Sequence, residues 1–449
     1  MNPLGLVRSL AEAGLRATLR IAARRHWTSA AARVCGATVH RPPGVRAPGA
    51  GARQVLVLPR TAALQDVADV AAASTHLNFV APWHGAMKAL ASAYLPPEVD
   101  SNTYHLDAGP AVTAAKLRYR EFLAGMWTSL RRSTRIDAVI SSNFSYYSER
   151  ELAIALGEMG VPFVVLQKEN LKTPGRVAFF DRLYRDRRGP FVGRRMLVYN
   201  GIERDLQVAA GIVPPERIAV VGMPRMDRLH RWRLAQQPHS RPPALLFFDF
   251  DERNGLPVVT RKALEGGFEA FDPVIESLAW RELCAGTRAA VMRVARENPG
   301  LRVIIKTKGR TRSDNSLDAH LERDPLPGNV QVVRGGDPID LLKEATVVCG
   351  FNSTSLLEGL AAGVPVVVPH FAEATESAYA PFLLDLLGAA ALAPDSDALA
   401  AMLARIAFAG SNTRDLAPSA VAALQHWTGN ADGNAGARVA REIVATIDG

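Results

Sequence analysis

Short apolar runs, rich in β-branched residues, alternate with longer helical patterns along most of the chain. Two series of such runs occur, at 54–58, 77–80, 137–140, 162–166, 196–199 and 217–221, and then at 244–248, 301–305, 330–333, 346–349 and 364–368. Strands separated by helices, and not by tight turns, are typical of parallel sheets covered by helices on both faces. The pattern therefore predicts an α/β protein.

Stretches rich in proline and glycine divide the chain at 41–52 and again at 236–243. Such composition marks linkers, and 449 residues are enough for two cores. We therefore expect a leader and linker over 1–53 and two Rossmann-like domains, over 54–235 and 242–425, facing each other across a cleft. We expect a further helix over 430–449.

The segment 345–371 combines two buried strands, a hydroxyl-rich turn and a short helix. In such a βαβ unit the helix begins at the carboxyl edge of the sheet, where free N–H groups attract a phosphate. Asn352, Ser353, Thr354 and Ser355 add polar side chains there, and Glu358 follows one turn later. The same residues allow a reading without a ligand, because Ser355 and Glu358 also form a capping box.

This segment resembles the nucleotide-binding segment of GT-B glycosyltransferases and of the related UDP-N-acetylglucosamine 2-epimerases and CDP-glycerol glycerophosphotransferases. The likeness lies in the small-residue turn before Glu358 and in Gly363, Pro365 and Pro369. A second resemblance covers 197–229, where the family's Gly-x-Pro-Arg-x-Asp element corresponds to 222–227. It implies the GT-B architecture, a nucleotide-donor site in the second domain, and a C-terminal helix that packs back on the first domain.

The resemblance implies donor-binding roles for several residues. Glu358 would bind the ribose, while Asn352, Ser353, Thr354, Ser355, Lys306 and Arg225 would bind the donor nucleotide, mainly at its phosphates. Lys306 comes at the end of a predicted strand, where a cation can meet a phosphate, and this interpretation is favoured over the alternative, a solvated loop formed by the basic residues of 306–312. Arg225 is consistent with a phosphate contact and with a hinge in which it pairs with Asp227.

The catalytic base is expected in the first domain, on a loop at the carboxyl edge of its sheet. Glu169 and Lys168 come directly after the strand at 162–166. His84 follows another strand, and its ordinary pKa suits proton transfer near neutral pH. Ser148 and Glu151 predict a capping box for a helix that runs to Gly160, and Glu149, at the start of this helix, is a further candidate for the base.

A bound metal and a separate cofactor are not expected, because the nucleotide-activated sugar is itself the substrate. Asp249 and Asp251 form an Asp-x-Asp motif, which binds a divalent ion in another transferase fold, but this pattern often arises by chance. The three cysteines, Cys35, Cys284 and Cys349, lack any Cys-x-x-Cys spacing. An odd, scattered set favours a reducing compartment.

Most of the net charge of +9 lies in the first 53 residues, where nine arginines face the single acid Glu12. The other residues are nearly balanced, so we do not expect nucleic-acid binding. The apolar positions of 4–22 have approximately helical spacing with arginines between them. This pattern is consistent with a helix on an anionic membrane, a transit peptide, a helix packed on the first domain, or a disordered leader.

Together these features predict a cytoplasmic GT-B glycosyltransferase, with the inner face of the membrane as its expected place of action. It would transfer a sugar, or a polyol phosphate, from a nucleotide donor to a surface polysaccharide or glycolipid, as in capsule or envelope synthesis. The alternatives are a nucleotide-sugar 2-epimerase, although the carboxylate-rich turn of that family is absent at 352–355, and a non-catalytic nucleotide-binding protein of the same fold.

Overall fold

The structure is a computed structural model of the whole chain. It describes residues 3–58, 61–106, 109–168, 171–236, 241–257, 277–309, 312–410 and 413–449. Glu169, one of the candidate bases, lies outside the described residues.

The first sheet has six parallel strands in the order β2-β1-β3-β4-β5-β6. Its strands are β1 Arg53–Val57, β2 Leu77–Val80, β3 Ala138–Ser141, β4 Phe163–Leu166, β5 Arg195–Val198 and β6 Ile218–Val220. Every residue of β3 and β4 is buried, because helices cover both faces of the sheet. This explains why these strands are continuous apolar runs in the sequence.

Nine helices precede or accompany this sheet within the described residues. They are α1 Pro3–Arg24, α2 Thr28–Ala37, α3 Thr61–Ala73, α4 Ala86–Tyr94, α5 Gly109–Ser133, α6 Tyr147–Glu158, α7 Pro174–Arg187, α8 Gly201–Ala209 and α9 Asp227–Ala235. Ser148 was part of a predicted capping box for α6, and this detail is wrong. The N-cap is Tyr146, with no side-chain cap, and Glu151 instead binds Arg120, with Oε2 2.8 Å from Nε.

The second sheet is also parallel, in the order β12-β11-β10-β7-β8-β9. Its strands are β7 Ala244–Phe248, β8 Arg302–Thr307, β9 Val330–Arg334, β10 Val347–Cys349, β11 Val366–Pro369 and β12 Ala391–Ala393. The pattern analysis missed β12, whose three residues are too few to show a period.

The helices of the second half are α10 Arg281–Glu297, α11 Arg312–Leu321, α12 Ile339–Glu344, α13 Thr354–Ala361, α14 Ser396–Ala409, α15 Pro418–Thr428 and α16 Ala435–Asp448. With two six-stranded parallel sheets, the protein has two Rossmann-like domains, and the predicted fold class is confirmed. All three cysteines are buried free thiols, and burial raises each thiol pKa to about 12.

The N-terminal helices pack on the first domain. Helix α1 lies against α4, and α2 lies against α5. Leu19, Ala22 and Ala23 form the buried side of α1. Among the described helices, none is both long enough and apolar enough to cross a membrane.

The C-terminal segment returns to the first domain after α15. Gly429 passes so close to the first sheet that a Cβ on it would overlap the carbonyl oxygen of Tyr199, and its φ is 61°. Helix α16 then packs on α3, and Arg195 Nε binds Glu442 Oε2 at 2.9 Å. Only glycine fits a crossing with this backbone contact and a left-handed φ.

Asp227 fixes the return segment and does not pair with Arg225, so the predicted Arg225–Asp227 hinge pair is wrong. Its Oδ1 accepts a hydrogen bond from Asn430 Nδ2 at 2.7 Å, and its Oδ2 accepts one from the Gly436 N–H at 2.7 Å. Burial raises the pKa of this carboxyl, against the lowering effect of these hydrogen bonds. Asp227 therefore joins the end of the first domain to the start of α16.

Candidate functional site

Strand β10 opens into a turn that is shaped for the start of α13. Asn352 has a left-handed φ of 43°, which asparagine tolerates better than most residues. Both polar atoms of its side chain make a hydrogen bond, since Nδ2 donates to the Phe382 carbonyl at 3.0 Å and Oδ1 accepts from the Leu384 N–H at 2.8 Å. Asn352 thus ties the 382–384 loop to the turn.

Ser353 is the N-cap of α13, and its Oγ accepts the Ser355 N–H at 3.2 Å. The expected Ser355–Glu358 capping box is therefore absent, because the cap lies two residues earlier and Glu358 points elsewhere. Thr354 and Ser355 are half-buried at the first turn. Their hydroxyls and the N-terminal N–H groups of the helix make a surface suited to an anion.

Glycines line the sheet edge at the ends of β8 and β9. Gly309 and Gly335 are in contact, and a Cβ on Gly309 would lie 3.1 Å from the Gly335 backbone, whereas Gly336 faces open space. All three have positive φ. Backbone without side chains at the carboxyl edge leaves room for a ligand to approach closely.

Two lysines stand near this edge, in different settings. Lys306 is buried within β8, and its Nζ donates to the Thr307 carbonyl at 2.7 Å. Lys308 is exposed, with Nζ 3.4 Å from Asn254 Oδ1, and Asn254 in turn donates to the Phe351 carbonyl at 2.6 Å. Lys308, which sequence reasoning did not select, is therefore the lysine linked to the turn before α13.

Glu358 is buried in α13 and faces the first domain. Its Oε1 lies 3.4 Å from Nε of Arg225. Burial raises the pKa of Glu358, and the positive charge of Arg225 opposes that rise. Burial disfavours the charged form of Arg225 as well, but Asp66 and Glu358 outweigh it and raise the pKa of Arg225 above its usual range. The structure thus brings two predicted site residues together across the domains.

Asp66 on α3 forms the first-domain side of this cluster. Its Oδ2 accepts the Tyr199 hydroxyl at 2.5 Å, and its Oδ1 accepts the Arg225 N–H at 3.3 Å. Lys168 Nζ lies 3.9 Å from the same carboxylate. Both Asp66 and Tyr199 are fully buried, so their charges and dipoles act at low dielectric. Lys168 therefore belongs to the same cluster as Arg225 and Glu358.

A second polar link joins the domains beside the first. Arg228 places Nη1 3.0 Å from Asp337 Oδ2 in the second domain and Nε 3.1 Å from Asp69 Oδ2 in the first. Arg231 also binds Asp69, at 2.9 Å. Burial raises the pKa of Asp69 to about 6 despite these two arginines. Asp337 directly follows Gly336, so the glycine-lined edge is tied to the first domain.

The candidate bases of the first domain lie in two places: Lys168 belongs to the Asp66 cluster, whereas His84 and Glu149 lie beside a separate hollow. His84 is 56% exposed at its side chain, and its Nε2 is 4.0 Å from Glu12 Oε2 on α1. Glu149 is buried and accepts the Ser141 hydroxyl at 2.5 Å. His84 and Glu149 border one small hollow. Only His84 is open to solvent in this pair.

An apolar cavity of about 610 Å³ lies between the domains beside the α13 turn. The first domain contributes Val177 and Ile202, and the second contributes Leu383, Leu387 and His370. A larger open hollow of about 1090 Å³ lies at the amino ends of β4 and β5, beside the C-terminus. Because ligands of open α/β sheets bind at carboxyl ends of strands, the interdomain cavity is the relevant one.

The first carboxylate of the Asp-x-Asp motif is paired with a buried arginine. Both oxygens of Asp249 bind Arg288, at 2.7 Å and 2.9 Å, and both residues are buried. Asp251 accepts the Arg253 N–H at 2.8 Å. Glu373 caps α10 by accepting the N–H groups of Glu282 and Leu283. These carboxylates hold local structure.

Sequence reasoning missed most of the first-domain half of the cluster. Asp66 and Asp69 lie within an alanine-rich helical pattern, where a carboxylate gives no local signal of its partners. Asp337 could have been found, because it follows two glycines after a strand, at the expected sheet edge.

Comparison with known proteins gives structural likeness only. No protein-family model matches the chain, and no curated protein matches it. Among solved structures, a UDP-GlcNAc 2-epimerase from Methanocaldococcus jannaschii is 10% identical with a TM-score of 0.48, covering 88% of this chain and 99% of that chain. The epimerase from Neisseria meningitidis, solved with UDP-GlcNAc, is 13% identical with a TM-score of 0.44 and coverages of 88% and 99%.

A UDP-forming α,α-trehalose-phosphate synthase from Burkholderia xenovorans is similar to the same extent, at 12% identity, a TM-score of 0.44 and coverages of 88% and 99%. At such low identity none of them assigns a reaction to this chain.

Proposed function

We propose that the protein is a glycosyltransferase that moves a sugar, or a polyol phosphate, from a nucleotide-activated donor to a surface polysaccharide or glycolipid. The supporting observation is the convergence, at the start of α13, of an open glycine-lined sheet edge, helix N–H groups and the buried Glu358. A nucleotide has the matching chemistry, with phosphates for the helix and ribose hydroxyls for a carboxylate.

In the proposed complex the phosphates lie at Ser353, Thr354 and Ser355, with Lys308 and Lys306 on the adjoining strand end. The ribose hydroxyls donate to Glu358. Arg225, released from Glu358 by the ribose, turns its guanidinium to the donor phosphate. Helix N–H groups and cations then stabilise the leaving nucleotide without a bound metal.

The reaction forms one bond and breaks another. In sugar transfer, an acceptor hydroxyl oxygen bonds to the anomeric carbon while the bond from that carbon to the donor phosphate oxygen breaks, and its electron pair stays on the departing nucleotide. In polyol phosphate transfer, the acceptor oxygen bonds to the phosphorus that carries the polyol while the bridging bond to the nucleotide breaks, and the nucleoside monophosphate leaves with that electron pair. The hydroxyl proton passes to a base of the first domain. Among the described candidates, His84 is the one exposed to solvent, whereas Lys168 lies in the cluster around Asp66.

The acceptor class in this proposal is a glycan or glycolipid of the cell envelope, such as capsule. Synthesis from cytoplasmic nucleotide sugars would then occur at the inner face of the membrane. The strongly basic N-terminal segment supports that location, since anionic lipids concentrate there.

Thermal unfolding with UDP, CDP, CMP, GDP and dTDP, each with and without magnesium, tests the donor site. A nucleotide at a hundredfold excess over its dissociation constant stabilises the native state by about 2.7 kcal/mol. We expect nucleotides with one particular nucleobase to raise the midpoint of thermal unfolding in the absence of magnesium. We expect Glu358→Ala to abolish the shift and Glu376→Ala, at an exposed site, to preserve it. No shift with any nucleotide would contradict the proposal.

Donor turnover then separates the enzyme classes. Release of the free nucleotide only when a glycan acceptor is present indicates transfer. Inversion at C2 of a nucleotide sugar without an acceptor would indicate a 2-epimerase. Binding with neither reaction would leave a nucleotide-binding protein.

A further inference from the structure

The outer face of α1 carries apolar side chains that nothing in the described fold covers. Val7, Leu10, Gly14, Ala17 and Ile21 recur at intervals of three and four residues, which places them on one side of the helix. Val7 and Leu10 are each 65% exposed, and Ile21 is 54% exposed. The opposite side of α1, with Leu19, Ala22 and Ala23, is buried against the first domain. The helix therefore has two apolar faces, and only the inner one is covered.

The surroundings of this face are cationic and aromatic. Residues 1–37 contain six arginines and one acid, Glu12. Arg24, the last residue of α1, and Arg25, which follows it, are exposed, and Trp27, three residues after the end of the helix, is 57% exposed. An apolar stripe with flanking arginines and an interfacial tryptophan is the composition of helices that lie in the headgroup region of an anionic bilayer.

We propose that this face, defined as Val7, Leu10, Gly14, Ala17 and Ile21 with Trp27, docks the protein on an anionic phospholipid surface. The arginines provide attraction to the lipid headgroups, and the apolar side chains enter the boundary of the acyl region. A second copy of the chain is a poorer occupant, because it would bring two arginine-rich helices face to face.

The inner side of the same helix touches the first-domain loop that holds His84. Glu12 lies 4.0 Å from the His84 ring, and the Arg16 guanidinium lies 5.9 Å from the centre of the Trp83 ring. One helix diameter, about 10 Å, therefore separates the docked membrane from the candidate base. This placement favours an acceptor that is itself held in the membrane, an inference that rests on the proposed transfer reaction.

Vesicle co-sedimentation of the full chain tests the docking face. We compare phosphatidylcholine vesicles with mixed phosphatidylcholine and phosphatidylglycerol vesicles, at low and high salt. We expect binding to the anionic vesicles, weakened by salt. The combined variant Leu10→Ser, Ile21→Ser, Trp27→Ser should bind at least about tenfold more weakly. The pair Arg24→Gln, Arg25→Gln should lose affinity for anionic vesicles.

The matched control is Phe408→Ser, which removes an apolar side chain that is 53% exposed in the second domain, and it should bind like the wild type. Circular dichroism checks that each variant is folded. Undiminished binding by the combined variant, or no binding by the wild type, would overturn the proposal. So would a dimer, seen by sedimentation velocity, that the combined variant dissociates. The nucleotide shift should be unchanged in all variants, so a failed donor site is distinguished from a failed docking face.

Discussion

Arg225 of the first domain lies with its Nε 3.4 Å from Oε1 of Glu358 in the second domain. The two residues come from the two segments that carry the sequence resemblance, 133 positions apart, and neither segment alone indicates the contact. Glu358 therefore has a partly buried cation in front of it. In the proposed complex a ribose would compete with Arg225 for this carboxylate, which would couple donor binding to the contact between the domains.

Removing Arg225 should destabilise the protein. We expect Arg225→Met to cost about 3 kcal/mol, because it leaves the Glu358 charge buried without its partner. Adding Glu358→Gln should recover part of that loss, with a coupling energy of about 1–2 kcal/mol. Urea unfolding of the two single variants and the double variant measures this cycle. Additive effects would show that the two side chains do not interact.

Gly429 should be intolerant of any side chain, and Gly410 provides a matched control. Both residues follow a helix in a left-handed conformation, with φ of 61° and 64°. A Cβ meets nothing within 4 Å at Gly410 but overlaps the Tyr199 backbone at Gly429. Gly410→Ala should cost about 1 kcal/mol for its φ alone, and Gly429→Ala about 3 kcal/mol or more. Equal losses in urea unfolding would contradict the close crossing.

His230 should make the protein less stable in acid. Burial, followed by the Arg233 charge, lowers its pKa from 6.5 to about 4. Its Nδ1 lies 3.2 Å from Arg233 Nη2 and its Nε2 lies 3.1 Å from the Asn430 carbonyl, an arrangement that suits the neutral ring. Between pH 6.5 and pH 4 the His230 ring is therefore protonated in the unfolded chain but neutral in the native chain. As a result, the free energy of unfolding falls as the pH drops from 6.5 towards 4.

The expected contribution of His230 is up to about 1.4 kcal/mol per pH unit across that window. Unfolding free energies measured across it should vary less steeply in His230→Gln, and His76→Gln, at an exposed site, should behave like the wild type. A slope that His230→Gln leaves unchanged would exclude this residue as the source.

Asp249 should contribute to the stability of the folded protein and not to metal binding. Asp249→Asn weakens the two-point contact with buried Arg288, so we expect a loss of about 3 kcal/mol in urea unfolding. Asp251→Asn should cost less than about 1 kcal/mol, because this side chain makes one turn hydrogen bond. The nucleotide shift of either variant should not depend on magnesium. A shift that needs magnesium in the wild type and is lost in Asp249→Asn would assign a metal to the motif.

His84 and Lys168 should be separable by kinetics. If His84 accepts the acceptor proton, His84→Gln should lower kcat by about 10²- to 10⁴-fold while the nucleotide shift is retained. Lys168→Met should disturb the cluster around Asp66, and we expect weaker donor binding with it. Full turnover by His84→Gln would move the base to another group, and Glu149→Gln then becomes the variant to measure.

Much of the fold could be predicted from the sequence, because buried parallel strands are written as uninterrupted apolar runs. β2 and β7 have the bounds that the pattern predicts, and most other strands agree within two residues. The edge strand β12 was missed, since a run of three residues with one exposed side chain lacks a period. Ser148 shows a further limit, because cap residues depend on the backbone angles of the turn.

Only the part of the candidate site that comes from one continuous segment of the chain was predicted. The strand, turn and helix around 346–361 place Ser353 and Glu358 through short-range geometry, so the residue types there already indicate an anion and a carboxylate at one edge. The partners of Glu358, Asp227 and Asp249 depend on which distant segments the packing brings together. Arg225, Asn430 and Arg288 reach them from another domain, the return segment and a separate helix.

The two parallel sheets, the basic N-terminal segment and the polar turn before α13 are thus predictable from the sequence, because each depends on neighbours within a few residues. The packing of α1 on the first domain with an apolar face left outward, and the contact of Arg225 with Glu358, follow from the tertiary fold and not from local sequence. These outcomes depend on burying surfaces that lie far apart in the chain, and local residue patterns carry no information on which of two apolar faces will be covered.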